Sequence, residues 1–170
     1  PGKYDLGTGQ LEMDTEYVDV AGLSALRENQ HIYGTSNGWG TGVLRQTADD
    51  VKIENLFVEL MPTGFGVILS DQAIAAYFPD TALAGTIIRN CIFKADETSG
   101  WSMRLAIDYG AVYEDCTGGY YSFGRGGDAS GTFNNCTGGD RSFGYYGAVS
   151  GTLTDCTGGD NSFGRGGMVS

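Results

Sequence analysis

The sequence predicts an all-β solenoid. Three observations carry that prediction: a gapless 20-residue repeat over 111–170, a corner motif that recurs six times along the chain, and 29 glycines among 170 residues. Glycine stands at about twice its usual share, so the backbone turns often. Apolar residues rarely fall at helical three-to-four spacing; β-branched, aromatic and glycine residues alternate instead, which is the pattern of short strands. With 41% hydrophobic residues the chain can bury one real core.

The repeat is seen by aligning 111–130, 131–150 and 151–170. Cys116, Cys136 and Cys156 coincide, as do Thr117, Thr137 and Thr157, the Gly-Gly pairs that follow, Phe123, Phe143 and Phe163, and Ser130, Ser150 and Ser170. Fixed periods of this length mean stacked coils. Equivalent strands then lie about 4.8 Å apart, and identical side chains form interior ladders of cysteine and phenylalanine.

A looser form of the unit runs back through the chain as apolar, variable, Gly/Asn/Asp, then Leu or Cys. It reads Val20-Ala21-Gly22-Leu23, Ile53-Glu54-Asn55-Leu56, Ile88-Arg89-Asn90-Cys91, Tyr113-Glu114-Asp115-Cys116, Phe133-Asn134-Asn135-Cys136 and Leu153-Thr154-Asp155-Cys156. The spacings of 33, 35, 25, 20 and 20 residues predict about six coils with shrinking loops. The third position takes only residues that tolerate left-handed backbone angles, so a corner is expected there. One continuous domain follows, with N-terminal coils and long loops over 1–110 and regular repeats over 111–170. The opening "PGKYDL" and the closing "GRGGMVS" read as cut from a longer chain.

The formal charge of −11 argues against nucleic acid, whose phosphates need a basic footprint, and against anionic membranes. No apolar run approaches a membrane span, and no basic-then-apolar signal segment is present.

The segments "PGKYDL…VDVAGLS", "VKIENLFVEL" and "GTIIRNCIFK" resemble the N-terminal coils of the pectin-lyase-like superfamily. In that superfamily a Pro-Gly-x-Tyr turn precedes the first rungs and an asparagine ladder marks a tight corner. The resemblance spans most of the chain and implies a right-handed parallel β-helix. The "CTGGxxSFG" units over 111–170 are similar to repeats in virion and surface proteins of tailed phages.

Four cysteines lack the tight spacings of zinc sites, and His31 is the only histidine, so buried reduced thiols are expected and no metal or cofactor is assigned. The "GGDRSFG" and "GGDNSFG" strings lack the nine-residue return that calcium nonapeptides need. Thr117, Thr137 and Thr157 make a single column, read as outward strand residues rather than an ice-binding face.

Catalysis is weighed through acids. The resemblance implies either clustered aspartates with a Gly-His-Gly element or calcium-binding acids with a basic proton acceptor, and neither constellation is found. Asp140 with Asp160, and Asp115 with Asp155, would lie near glycosidase spacings, but any solenoid with aspartate in its repeat produces such distances. Catalytic candidates are therefore taken from three excursions, 24–50, 70–84 and 92–101: Asp71, Asp80, Asp96 and Glu97.

The same excursions carry Tyr33, Trp39, Tyr77, Phe78 and Trp101 beside Lys94, and exposed rings suit sugar faces. Arg125, Tyr145 and Arg165 share one repeat column, where two guanidinium groups would sandwich the tyrosine and offer a glycan-facing stripe. Tyr33, Trp39, Tyr77, Trp101, Arg125, Tyr145 and Arg165 are thus the expected glycan contacts.

The function expected is a structural or adhesive segment of a phage virion appendage, such as a tail spike, tail fibre or head decoration, at the virion or cell surface. The resemblance implies a homotrimer contacting other virion proteins and host polysaccharide. The alternatives are a polysaccharide depolymerase, hydrolase or lyase, and a bacterial secreted adhesin.

Overall fold

The computed structural model describes residues 2–35, 42–61, 85–95, 111–123, 129–145 and 148–164, together with the backbone of 74–78 and 101–105. The described residues are all-β. In chain order the strands are β1 (Gly2–Asp5), β2 (Leu11–Met13), β3 (Asp19–Ala21), β4 (Gln30–Gly34), β5 (Gly42–Gln46), β6 (Lys52–Glu54), β7 (Phe57–Leu60) and β8 (Ile74–Phe78). They continue as β9 (Ile87–Arg89), β10 (Ile92–Lys94), β11 (Trp101–Leu105), β12 (Val112–Glu114), β13 (Thr117–Gly118), β14 (Thr132–Asn134) and β15 (Thr152–Thr154). One 3₁₀ turn, Arg27–Asn29, precedes β4.

These strands form three sheets in which every pair is parallel. The first runs β1-β4-β7-β10-β13, the second β2-β5-β8-β11 and the third β3-β6-β9-β12-β14-β15. From β1 to β13 the chain therefore visits the sheets in strict rotation, each circuit laying one strand beside its predecessor in all three. In the repeats the third sheet keeps three-residue strands, β12, β14 and β15, while pairing elsewhere shrinks to single parallel bridges, Thr117 to Thr137, Thr137 to Thr157 and Ala129 to Val149.

Rotation with constant register stacks like on like. Val20, Ile53, Ile88, Tyr113, Phe133 and Leu153 occupy one column of the third sheet. Ile53, Ile88, Tyr113 and Phe133 are fully buried there. Tyr113 stacks on Phe133 at 4.8 Å and 6°, and a second column stacks Phe123 on Phe143 at 4.8 Å and Phe143 on Phe163 at 5.0 Å. The two columns meet edge to face, Phe133 against Phe143 at 89°, so Tyr113, Phe123, Phe133 and Phe143 each have both favoured aromatic geometries.

The corners form largely where the motif places them. Asn55, Asn90, Asp115, Asn135 and Asp155 have φ between 49° and 57°. Gly22 differs: it is a corner without a left-handed φ, and a Cβ there would sit 2.2 Å from the Asn55 carbonyl oxygen. Space, not backbone angle, requires that glycine. Phe123, Phe143 and Phe163 are also left-handed, at 50°, 50° and 59°. A β-substituted residue pays roughly 1–2 kcal/mol for this, which burial of Phe123 and Phe143 offsets.

The stretches 24–50, 70–84 and 92–101 contain regular structure as well as connections. They contain β4 and β5, β8, and β10 with the start of β11. A circuit has three sides, and only the corner after the third sheet carries the Asn/Asp signal, so the other two sides read as excursion.

The four cysteines are free thiols on the inner side of that corner. Each donates to the carbonyl of the inward residue one circuit back, as in Cys116 Sγ to Ile88 O at 3.4 Å and Cys136 Sγ to Tyr113 O at 3.5 Å. Burial pushes the Cys91 thiol up to about 12 and raises that of Cys156; Cys136 is raised first by its hydrogen bond with Cys116 and then by burial.

Candidate functional site

The corner column is the most built surface among the described residues. Its side chains bond along the stack: Asn90 Nδ2 donates to Asn55 Oδ1 at 2.8 Å, and Asn135 Nδ2 donates to Asp115 Oδ1 at 2.7 Å. Left-handed backbone at each corner aims these short side chains along the stack, where they can meet.

Residues 23–29 cross this column as a strap. After Gly22 the chain leaves the first circuit, turns where Leu26 N–H meets Ser24 Oγ at 3.1 Å, and closes a 3₁₀ bond from Asn29 N–H to Leu26 O at 2.9 Å. Asn90 Nδ2 donates its other hydrogen to Ala25 O at 2.8 Å. Arg27 then reaches across two circuits, donating from Nη1 to Cys91 O at 3.2 Å and Asp115 O at 2.7 Å, and from Nη2 to Thr117 Oγ1 at 3.0 Å. The rigid guanidinium fork suits three fixed acceptors better than an ammonium would.

Where the strap ends, a groove of about 350 Å³ opens between it and the next corner, walled by Leu26, Arg27, Asn90, Asp115, Asn135 and Thr137. It offers amide, hydroxyl and carboxylate groups beside two apolar residues, Ala25 and Leu26, the latter 63% exposed. The chemistry available is hydrogen bonding and single-ion recognition.

The outer face of the first sheet holds a second cluster. His31 Nε2 lies 2.9 Å from Glu59 Oε2, its ring stacks on Phe57 at 4.3 Å and 8°, and Tyr33 tilts against it at 5.1 Å. Lys94 Nζ is 3.4 Å from Glu59 Oε1, so both carboxylate oxygens face cations or an imidazole. Tyr33 is thus a half-buried strand residue in register with Asp5 and Glu59.

Tyr145 lies in a third cluster and is 4% exposed. Among the described residues the cation over its ring is Arg141, at 5.2 Å, which also donates to the hydroxyls of Tyr120 and Tyr121. Arg125 and Arg165, its column neighbours, lie outside the described residues, as do Trp39, Asp71, Asp80, Asp96 and Glu97. Tyr77 and Trp101 belong to β8 and β11, in register with Arg104 and Ile74, and their side chains are likewise outside.

Two of the stacked acids of the repeats are engaged in structure. Asp140 Oδ1 accepts the Asp160 N–H at 2.8 Å, and Asp115 Oδ1 accepts from Asn135. Among the described residues no group of three His, Cys, Asp or Glu is placed to hold a metal. The asparagine ladder was legible in the sequence; Arg27 was not, because its partners lie 64 to 90 residues away. Compared with protein-family models, with curated proteins and with solved structures, the chain matches none.

Proposed function

We propose that this chain is a segment of a right-handed parallel β-helix of about six coils, serving as a structural and adhesive part of a virion appendage that displays its flank to host-surface polysaccharide. The observation that supports this reading is the constant parallel register of the third sheet from β3 to β15. Such stacking makes a stiff body whose flank repeats the same side chains at intervals of about 4.8 Å. Repeating amide, carboxylate and hydroxyl columns suit a repeating, hydroxyl-rich chain, and the charge of −11 disfavours nucleic acid. In a homotrimer a neighbouring copy would cover Tyr17, Leu23 and Leu26, which are 77%, 102% and 63% exposed.

The test joins sedimentation with binding to an array of capsular and lipopolysaccharide glycans and an assay for new chain ends. Threefold chain mass with binding and no shortening is expected. New reducing or unsaturated ends would replace the reading with a depolymerase, in which Asp71, Asp80, Asp96 and Glu97 are the first residues to substitute. A monomer that binds no glycan would overturn the proposal.

A further inference from the structure

The strap site of Arg27 has an uncovered duplicate two circuits further along the corner column. Moving two circuits from the strap takes Asn90 to Asn135, Cys91 to Cys136, Asp115 to Asp155 and Thr117 to Thr157, so all four groups that hold the strap recur with the same residue types. Their backbone and amide bonding recurs as well, while Thr157 Oγ1 in addition donates to Thr137 Oγ1 at 3.1 Å and keeps its lone pairs for accepting. Asn90 spends one amide hydrogen on the preceding corner's Oδ1, and Asn135 does the same on Asp115. Cys91 O accepts Thr117 N–H at 2.8 Å, and Cys136 O accepts Thr157 N–H at 2.9 Å, in each case with a second lone pair left for a guanidinium. Both corner residues are left-handed, Asp115 at 54° and Asp155 at 52°.

The two sites differ in cover. Asn90 and Thr117, under the strap, are half-buried, whereas their counterparts Asn135 and Thr157 are exposed; Asp115 and Asp155 are exposed alike. The intermediate step is not equivalent, since it would put Asp115, which has no amide donor, in the place of Asn90. The identity therefore selects one position, two circuits on.

We infer that Asn135, Cys136, Asp155 and Thr157 form a docking site for an extended, arginine-bearing peptide segment of a partner protein. The occupant donates a guanidinium to Cys136 O, Asp155 O and Thr157 Oγ1, and accepts from Asn135 Nδ2 through a backbone carbonyl two residues before its arginine, as Ala25 does before Arg27. Arg27 is engaged at its own strap site, Arg45 with Glu12, Arg89 with Glu54 and Glu114, and Arg141 with Tyr120 and Tyr121, so the arginine is assigned to a partner protein. A charge of −11 on this chain complements it.

The probe is a capped synthetic peptide of the strap itself, LSALREN (residues 23–29), titrated into the whole chain and followed by amide chemical shifts. Saturable shifts at 135–137 and 155–157 are expected, weakened about tenfold or more when the peptide arginine is replaced by glutamine, given the strength of charge-assisted bonds. Asn135→Asp and, separately, Thr157→Val should each weaken the peptide while circular dichroism and the distant Ile53 and Ile88 signals stay unchanged. Shifts confined to 25–28 and Asn90, meaning exchange with the native strap, would overturn the inference. So would no shift at millimolar peptide, or shifts at 135–157 produced by saccharides and not by the peptide.

Discussion

Arg27 Nη1 donates to the backbone oxygen of Asp115, 88 residues further along the chain, at 2.7 Å. One side chain from the start of the molecule thereby ties an irregular circuit to the first regular repeat. Its side chain is 22% exposed and its guanidinium meets three acceptors.

Arg27→Gln should therefore cost about 2–3 kcal/mol, since hydrogen bonds to a charged group contribute about 1.5–3 kcal/mol and their effects overlap within one fork. For a chain of this size that is a fall in Tm of roughly 5–10 °C. Arg27→Lys should recover less than half, because an ammonium cannot span Asp115 O and Thr117 Oγ1 as a planar fork does. Thermal unfolding of the three proteins measures this, and an unchanged Tm in Arg27→Gln would remove the strap as a tie.

The two kinds of corner separate by substitution. Gly22→Ala puts a Cβ 2.2 Å from the Asn55 carbonyl oxygen and should destabilise by about 2 kcal/mol or more through overpacking. Gly7→Ala meets nothing within 4 Å but sits at φ 57°, so it should cost only about 1 kcal/mol of backbone strain. Equal losses in denaturant titrations would contradict this division.

Asn90→Gly keeps the left-handed corner and removes the bonds to Ala25 O and Asn55 Oδ1, whereas Asn90→Ala removes both advantages. Alanine should be the worse by about 1 kcal/mol, an inversion of the order seen in ordinary strands. The denaturation midpoints of the pair report it.

The corner column was the most legible part of this molecule, because a position restricted to Gly, Asn and Asp states a backbone angle. The phenylalanine ladder was legible for a similar reason, an invariant bulky residue at fixed period. The second sheet was not: β5 and β8 carry no turn residue at constant offset, and their side chains alternate too briefly to be told from loop. The strap is not legible in the sequence because nothing local distinguishes Arg27 from a solvated arginine. The Arg125 and Arg165 column around Tyr145 lies outside the described residues, and the described cation over Tyr145, Arg141, comes from four residues earlier in the same repeat.

Burial raises the Cys91 thiol to about 12 from an ordinary value of 9.0. A thiol raised on folding leaves the folded state holding more protons than the unfolded one between those values. Its contribution is complete below about pH 9 and is lost as pH rises toward 12. Stability should fall over that window, and Cys91→Ala should flatten the fall. At pH 8 a thiol-reactive dye should modify half-buried Cys156 first and leave Cys91, Cys116 and Cys136 unmodified until denaturant is added.

The most direct test of the stacked architecture is a nuclear Overhauser spectrum of the repeats, read for contacts between residues 20 apart. Parallel stacking requires cross-peaks joining Thr132 to Thr152, Phe133 to Leu153 and Asn134 to Thr154, all at the same offset. It requires ring contacts from Phe143 to both Phe123 and Phe163 as well. Cross-peaks whose partner numbers fall as the residue number rises would mean antiparallel hairpins, and both the corner column and the duplicate strap site would be lost with the stack.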